Sequence, residues 1–364
     1  MILEDFAYEL PPELIAQDPA IERDKSRLLG YDRQTQKIAH HFFCDIVSIL
    51  KSTDVLVVNN TQVIPVRLIG RKASGSAVEL LLIKQEAGHA GVWQAMAMPL
   101  KKLKREEIIY IAGSTNKHSL TIKDIFTAAD GQRRLLVKIG DSGNDEQGFA
   151  MLQDVGKPPL PPYIEQARSS QESFSDPIAR EKNDLERYQT VFAKHPGAIA
   201  APTAGMHFSL SLLNQLKAKG ALICEITLHV GPGTFKPITT SIEKHVIEPE
   251  WYSISKLTAQ NINTAKKNKQ RVIAVGTTTC RALESAALSG EVQATESSST
   301  SLFIKPGYEF KFIDGLITNF HLSKSSLLLL VAALMGKEEL HRVYQIAIKH
   351  KYRFYSYGDA MLIL

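Results

Sequence analysis

Three histidines stand in loops of similar make: His207 in "PTAGMHFS", His229 in "HVGPGTF" and His321 in "NFHLSKSS". A fourth loop of small and hydroxylated residues, "GTTTCR" from Gly276, carries no histidine. Imidazole titrates near neutral pH and can give or take a proton. Glycine lets a ligand approach the backbone, and a helix that begins beyond such a loop offers an anion free N–H groups and partial positive charge. The proton-transfer candidates are therefore His207, His229 and His321. The ligand-binding candidates are Pro202, Thr203, Gly205, Gly231, Gly233, Thr234, Gly276, Thr277, Thr278, Arg281 and Asn319. Each histidine has a competing use in structural hydrogen bonds. The hydroxyls at Ser209, Thr277 to Thr279, and Ser325 or Ser326 have one as helix N-caps.

Loops so far apart in sequence need a scaffold to meet. "RVIAVG" runs into "TTTCRALESAALSG", and "DGLITNF" into "HLSKSSLLLLVAALMG". Strand followed by helix is the texture of a parallel sheet under helices, which holds ligands beyond the C-terminal ends of its strands. "RLLGYDR" and "DVLVVNN" read as further strands, and "PPELIAQ" as a Pro-initiated helix. Between Thr61 and Gly156 the pattern changes to six short strand-like runs, from "VIPVRLIGRK" to "RRLLVKIG", which predict a small barrel. The expected architecture is an α/β main domain with a parallel-rich sheet, formed by 1–60 and 157–364, plus an inserted six-stranded β-barrel domain, 61–156. "HPGAIAAPTAGMHFS", from His195, is dominated by Gly, Ala and Pro, and reads as a pocket wall rather than a core segment. "ARSSQESFSDPIAREKND", from Ala167, reads as a mobile loop leading into a helix, and "SGEVQATESSST" as a solvated loop.

The composition of the 364-residue chain is that of a globular protein, 44% apolar and 22% charged. Its net charge of +5 permits a polyanionic partner without demanding one. Three scattered cysteines, Cys44, Cys224 and Cys280, have no metal-ligand spacing and read as reduced thiols. The acidic start "MILEDFAYEL" is unlike a signal peptide, and the longest apolar run, Leu327 to Met335, is half a membrane span. A cytoplasmic protein without membrane contact is expected. "GDSGND", from Gly140, has the letters of a serine-protease nucleophile segment, but no matching histidine segment lies upstream and it reads as a turn. GxGxxG, Walker A and HExxH are absent from the sequence. Two features suit RNA. "KKLKREE" places Lys101, Lys102, Lys104 and Arg105 at a barrel tip; the plainer reading is a solvated hairpin. "YRFYSYGDAMLI" sets Arg353 among four aromatics, as a stacking surface or as a final strand with one buried face.

Taken together, "SRLLGYDR", "NNTQVIPVRLIGRK", "PLPPYI", "RYQTVFA", "GAIAAPTAGMHF", "TLHVGPGTFKP", "VIAVGTTTCRALES", "LFIKPGYEFKFIDGLITNFHL" and "YRFYSYGDAMLI" resemble one family: the S-adenosylmethionine:tRNA ribosyltransferase-isomerases of queuosine biosynthesis. The matches run in the family's order from about residue 5 to 364, with 104–150 and 289–300 matching weakly. Gln62 stands where the family usually has Arg, Ser323 where it has Pro, and Ile247-Glu248 where it has Met-His; His245 and Glu250 remain.

The resemblance implies transfer and isomerisation of the ribosyl group of S-adenosyl-L-methionine onto 7-aminomethyl-7-deazaguanine at the tRNA wobble position. Epoxyqueuosine-tRNA forms, and adenine and methionine leave. It implies two domains, α/β and β-barrel, S-adenosylmethionine as substrate, the tRNA anticodon stem-loop as partner, no metal and no obligate protein partner; a monomer is expected. In that chemistry the sulfonium acidifies the ribose C5′ protons, so one of His207, His229 and His321 is the expected base. The "GTTTCR" loop with Arg281, oriented by Glu284 or only surface-paired to it, is the expected carboxylate site. Tyr188 and Gln189 are expected to stack on and read the base, with Lys101, Lys102, Lys104, Arg105 and Arg353 meeting RNA. A non-catalytic RNA-binding protein with a degenerate nucleotide pocket is the alternative; a methyltransferase lacks its acidic Gly-rich strand–loop here.

Overall fold

A computed structural model describes residues 1–86, 88–113, 118–128, 131–140, 145–169, 177–235 and 237–364. The chain divides into two compact units. One comprises 1–62, 161–174 and 187–364 and is the α/β unit; the other, 63–160 with 175–186, carries the barrel. The division departs from the expected one in three places. Thr61 and Gln62 go with the α/β unit. Residues 157–160 go with the barrel because Lys157 exchanges backbone hydrogen bonds with Arg67. The helix Pro177–Arg187 goes with the barrel up to Glu186, and Lys157 Nζ holds Glu181 at 2.5 Å.

The α/β unit is built on a nine-stranded sheet whose order is Thr295–Thr300, Glu250–Ile254, Leu222–Leu228, Val55–Asn59, Val272–Val275, Gly315–Asn319, Ala360–Ile363, Arg27–Tyr31 and Ile38–Phe42. Four central strands, Leu222–Leu228, Val55–Asn59, Val272–Val275 and Gly315–Asn319, run parallel to one another. Ala360–Ile363 then returns antiparallel beside Gly315–Asn319. Val55 and Val57 enter one core while Leu56 and Val58 enter the other, so the run "VLVV" is apolar throughout because both faces are covered. Helices Lys256–Lys267, Thr277–Ala286 and Ser326–Met335 pack on the first face, and Leu210–Lys219 on the second.

Two of the helices that follow the loops are capped as expected. Ser209 Oγ accepts the Leu212 N–H at 3.1 Å, and Ser325 Oγ the Leu328 N–H at 3.2 Å. The third is not. Thr277 to Thr279 already lie inside the helix, and its N-cap is Gly276, at φ +94°, a conformation costly for any residue with a Cβ.

The barrel closes in the order Arg133–Ile139, Val92–Met98, Ala77–Gln85, Arg67–Lys72, Ile108–Ile111, Ser119–Thr127. All six are the expected runs, and inward residues alternate along them, as at Val78, Leu80 and Leu82. Other expectations fail. "SGEVQATESSST" is not a loop: Glu291–Val292 closes a hairpin with Ala287–Leu288, and Thr295–Thr300 is an edge strand paired with Glu250–Ile254. An edge strand with a wet face tolerates Ser and Thr, which hid it. The C-terminal strand spans only Ala360–Ile363, buried on both faces; the aromatics before it form a tight turn with Tyr355 at φ +72°. Residues 141–144 of "GDSGND" and 170–176 of the polar segment after Ala167 lie outside the described residues.

Glu284 neither orients Arg281 nor sits on a helix surface. It is 1% exposed and takes the N–H groups of Lys311, Phe312 and Ile313 and the Tyr308 hydroxyl at 2.8 to 3.0 Å. Removing a buried acceptor strands its donors. Glu284→Ala should therefore lower unfolding free energy by about 3–5 kcal/mol, measured by urea denaturation; a loss below about 1 kcal/mol would contradict this role.

Candidate active site

Because the four central strands are parallel, their C-terminal ends share one edge, and the antiparallel Ala360–Ile363 brings its N-terminal end there too. A cavity of about 510 Å³, counting space open to solvent, lies at that edge. Every one of these strand ends except that of Val55–Asn59 contributes. Val230 and Thr234 follow Leu222–Leu228; Gly276, Thr277 and Thr278 follow Val272–Val275; Thr318 to Leu322 close Gly315–Asn319; Tyr355 and Ser356 precede Ala360–Ile363. Ala201 to Ala204, Tyr163 and Leu327 complete the lining.

The small-residue segment crosses this edge. Ile199 N–H donates to the Val230 carbonyl, and Thr203–His207 forms a short 3-10 turn. Gly197 marks its tightest approach: a Cβ there would lie 2.5 Å from His229 Nε2. The stretch is Gly- and Ala-rich because it must lie flat against loops from other strands.

One end of the cavity consists of donors. Cys280 N–H is the first of its helix to bond back, to the Gly276 carbonyl. The amides of Thr277, Thr278 and Thr279 at the open turn have no acceptor among the described residues. Thr279 Oγ1 donates to the Val275 carbonyl, but Thr278 Oγ1, in a residue 5% exposed, has no partner among the described residues. An uncapped helix start with an unpaired buried hydroxyl is suited to an anion.

The three histidines have different fates. His321 lines the cavity. Its Nε2 is 2.7 Å from Thr318 Oγ1, and its Nδ1 has no partner among the described residues. Burial pushes it down to about 3, so it is neutral near pH 7. His207 lies behind the wall, stacked on Phe43, with both ring nitrogens engaged: Nδ1 2.7 Å from Ser26 Oγ and Nε2 3.2 Å from Asn319 Nδ2. Burial, with the nearby charges of Arg353 and Arg23, holds it at about 3. His229 is stacked on Trp251 with Nδ1 2.8 Å from Thr61 Oγ1, outside the lining, and is lowered to about 4 by burial and by His195.

Of the expected ligand residues, Pro202, Thr203, Thr234, Gly276, Thr277, Thr278 and Asn319 line the cavity. Gly205 is packed against Phe192 and Thr190, and Gly231 donates its N–H to Glu250 Oε1 at 3.0 Å. Gly233 stands with open space around its Cα, outside the lining. Arg281 is the clearest correction. Its Nη1 is 2.6 Å from Glu250 Oε2 and its Nε donates to the Leu302 carbonyl; both charged side chains are buried and neither lines the cavity. Tyr188 is also corrected: it is 1% exposed, edge-on to Tyr357, and cannot stack on a base. Gln189 is half-buried and its carbonyl accepts from Arg23. Arg353 is held by Asp359 at 3.7 Å and donates to the Asp18 carbonyl. Lys101, Lys102 and Lys104 are exposed in the barrel unit, whereas Arg105 donates to the Lys123 carbonyl and faces Asp124.

Sequence reasoning missed Ser26, Tyr163, Tyr355 and Ser356. Tyr163 and Tyr355 face each other at 5.0 Å, and the Tyr163 and Ser356 hydroxyls are 2.5 Å apart. Their signal was present in "PLPPYI" and "YRFYSYG", quoted above as motifs but given no role, or a role in RNA. The substituted Ser323 has a local use, its Oγ accepting the Tyr8 N–H. Among the described residues no cluster could hold a metal ion, and no helix is long and apolar enough to cross a membrane.

Residues 3–363 match the family model described as queuosine biosynthesis protein. The chain is 42% identical over its whole length, and the whole of the relative, to the S-adenosylmethionine:tRNA ribosyltransferase-isomerase of Acetivibrio thermocellus. It is 44% identical, again with full coverage of both, to that of Citrifermentans bemidjiense. The crystal structure of S-adenosylmethionine tRNA ribosyltransferase from Thermotoga maritima superposes with a TM-score of 0.53 at 33% identity, covering 99% of this chain and 100% of that one. The chain belongs to the queuosine biosynthesis protein family.

Proposed function

We propose that this chain is an S-adenosylmethionine:tRNA ribosyltransferase-isomerase. In this reading it moves the ribosyl group of S-adenosylmethionine onto 7-aminomethyl-7-deazaguanine at the tRNA wobble position, isomerising it to give epoxyqueuosine-tRNA with loss of adenine and methionine. Full-length identity of 42% to 44% to enzymes of that name carries the reading. The strand-end cavity supports it over a mere RNA-binding module, which has no use for an uncapped helix start and an unpaired buried hydroxyl. In this reading the chain acts as a monomer in the cytoplasm on tRNA.

Each end of the donor finds suitable chemistry. The methionyl carboxylate binds at the amides of Thr277 to Thr279 and the hydroxyl of Thr278, not at Arg281. The acidified C5′–H faces His321, neutral and with Nδ1 open, which takes the proton. The tRNA backbone is held in part by the exposed Lys101, Lys102 and Lys104, for which no ion pair occurs among the described residues.

Three measurements test this. Mixing enzyme, S-adenosylmethionine and precursor tRNA should release adenine stoichiometrically with ribosyl incorporation, and His321→Gln should slow that release about 10²–10⁴-fold with the fold intact. A rate within about threefold of the parent would remove His321 as base. Thr278→Val should raise KM for S-adenosylmethionine about tenfold or more, yet leave stability unchanged or higher, because an unpaired buried hydroxyl is deleted. Unchanged KM refutes the carboxylate site. Replacing Lys101, Lys102 and Lys104 by Ala should weaken tRNA binding and flatten its logarithmic salt dependence by roughly one per lost phosphate contact; an unaltered slope would put the RNA elsewhere.

A further inference from the structure

Beside the donor end of the cavity is a hydrogen-bond chain whose proton positions can be deduced, because both its ends are backbone carbonyls. Asn319 Nδ2 lies 3.2 Å from the Tyr355 carbonyl, which can only accept, so the Asn319 amide has one possible orientation. Its Oδ1 therefore faces Thr203, whose hydroxyl donates to it at 3.0 Å. The same Nδ2 lies 3.2 Å from His207 Nε2, which must then be the unprotonated nitrogen. The proton is on Nδ1, donated to Ser26 Oγ at 2.7 Å, and the Ser26 hydroxyl donates in turn to the Arg23 carbonyl at 3.4 Å. His207 is 6% exposed and neutral, its burial holding it at about 3, so protonation near pH 7 does not reverse the chain.

Asn319 Oδ1 is left with one lone pair, and Thr203 Oγ1, its proton committed, with its own; both residues line the cavity. This wall accepts and does not donate. It is also the near neighbour of the donor end. Val275 is in register with Ile317, and Gly276 N–H bonds to the Ile317 carbonyl, so Thr277 and Thr278 leave one strand beside Thr318 and Asn319 of the next. Adjacent strands are about 4.8 Å apart. Donors beside acceptors at that spacing suit an anion and a cation carried on one carbon atom.

We propose that the cavity reads the α-amino-acid zwitterion of S-adenosylmethionine. The ammonium donates to Asn319 Oδ1 and Thr203 Oγ1 while the carboxylate meets the Thr277–Thr279 turn, and His207 is the positioning residue that keeps the Asn319 amide turned the right way. This rests on the ribosyl-donor reading above and assigns the group that Asn319 recognises. Ser26 acts at one further remove, by holding the proton on His207 Nδ1. If that proton moved to Nε2, it would confront the Asn319 Nδ2–H, donor against donor, and the amide would turn its nitrogen toward the ligand.

The test compares kcat/KM for S-adenosylmethionine with that for its desamino analogue, in which hydrogen replaces the ammonium. The parent should favour the natural donor by about tenfold or more. Asn319→Leu should bring the ratio to near one. His207→Leu and Ser26→Ala should lower it, and His207→Gln, whose carbonyl can accept from Asn319 while its amide donates to Ser26, should restore it. A packing role for His207 would lower thermal stability and leave the ratio unmoved, which overturns its assignment. Equal use of both donors by the parent overturns the ammonium site while leaving the enzyme reading intact; no turnover of S-adenosylmethionine at all would instead overturn the enzyme reading. A readout free of activity uses ¹⁵N-labelled parent protein: the His207 resonances should show a protonated Nδ1 and a bare Nε2, unchanged between pH 6 and 8. A protonated Nε2 refutes the deduced chain.

Discussion

In the innermost strands of the α/β unit, polar side chains are confined to where the strands stop. Three of the four parallel strands, Val55–Asn59, Val272–Val275 and Gly315–Asn319, are buried on both faces, and no ligand-binding side chain can be placed along them without losing core contacts. Asn59, Thr318 and Asn319 are the exceptions, and each is at or next to a strand's C-terminal end, with its side chain hydrogen-bonded. Parallel running then puts all such ends on one edge. The cavity follows from that constraint, and the Gly- and Ala-rich crossing of that edge follows from the cavity, since a segment lying over several loops at once has no room for large side chains.

Much of the fold was legible because it depends on period and punctuation. Six alternating runs separated by turn residues made the barrel, and unbroken apolar runs followed by small-residue loops made the parallel sheet. The lining loops were legible for the same reason. Partner choice across space was not. Arg281 has every local mark of a carboxylate ligand, at the start of a helix beside three threonines. Yet Glu250, on a strand thirty-one positions earlier, takes it at 2.6 Å, and neither residue lines the cavity. Glu284, one turn on, is spent on the amides of the chain around Lys311 to Ile313. Tyr188 read as a stacking residue because a buried tyrosine and an exposed one look the same in sequence.

The histidines make this point most sharply. All three follow or lie within similar loops, and burial lowers all three into the neutral form. They differ only in what their second nitrogen meets. His207 meets an amide and becomes part of a wall. The Nε2 edge of His229 abuts the backbone of Gly197. His321 alone keeps a nitrogen unpartnered in a residue that lines the cavity. Neutrality is common to all, and so it cannot distinguish a base from a structural imidazole; geometry does.

The removal of Arg281 from the cavity has a consequence for the chemistry. Among the described residues the lining holds no Lys, Arg, Asp or Glu, and its histidine is uncharged. A sulfonium carries positive charge that disappears when methionine leaves as a thioether. A carboxylate beside the sulfur would stabilise the charged ground state and slow its loss, while an arginine would oppose binding in the first place. A cavity whose polarity is made of dipoles, with amides and a hydroxyl beside an oriented carboxamide, can hold the two opposite charges of the amino acid and leave the sulfonium uncompensated. The buried Arg281–Glu250 pair then keeps both charges out of the lining.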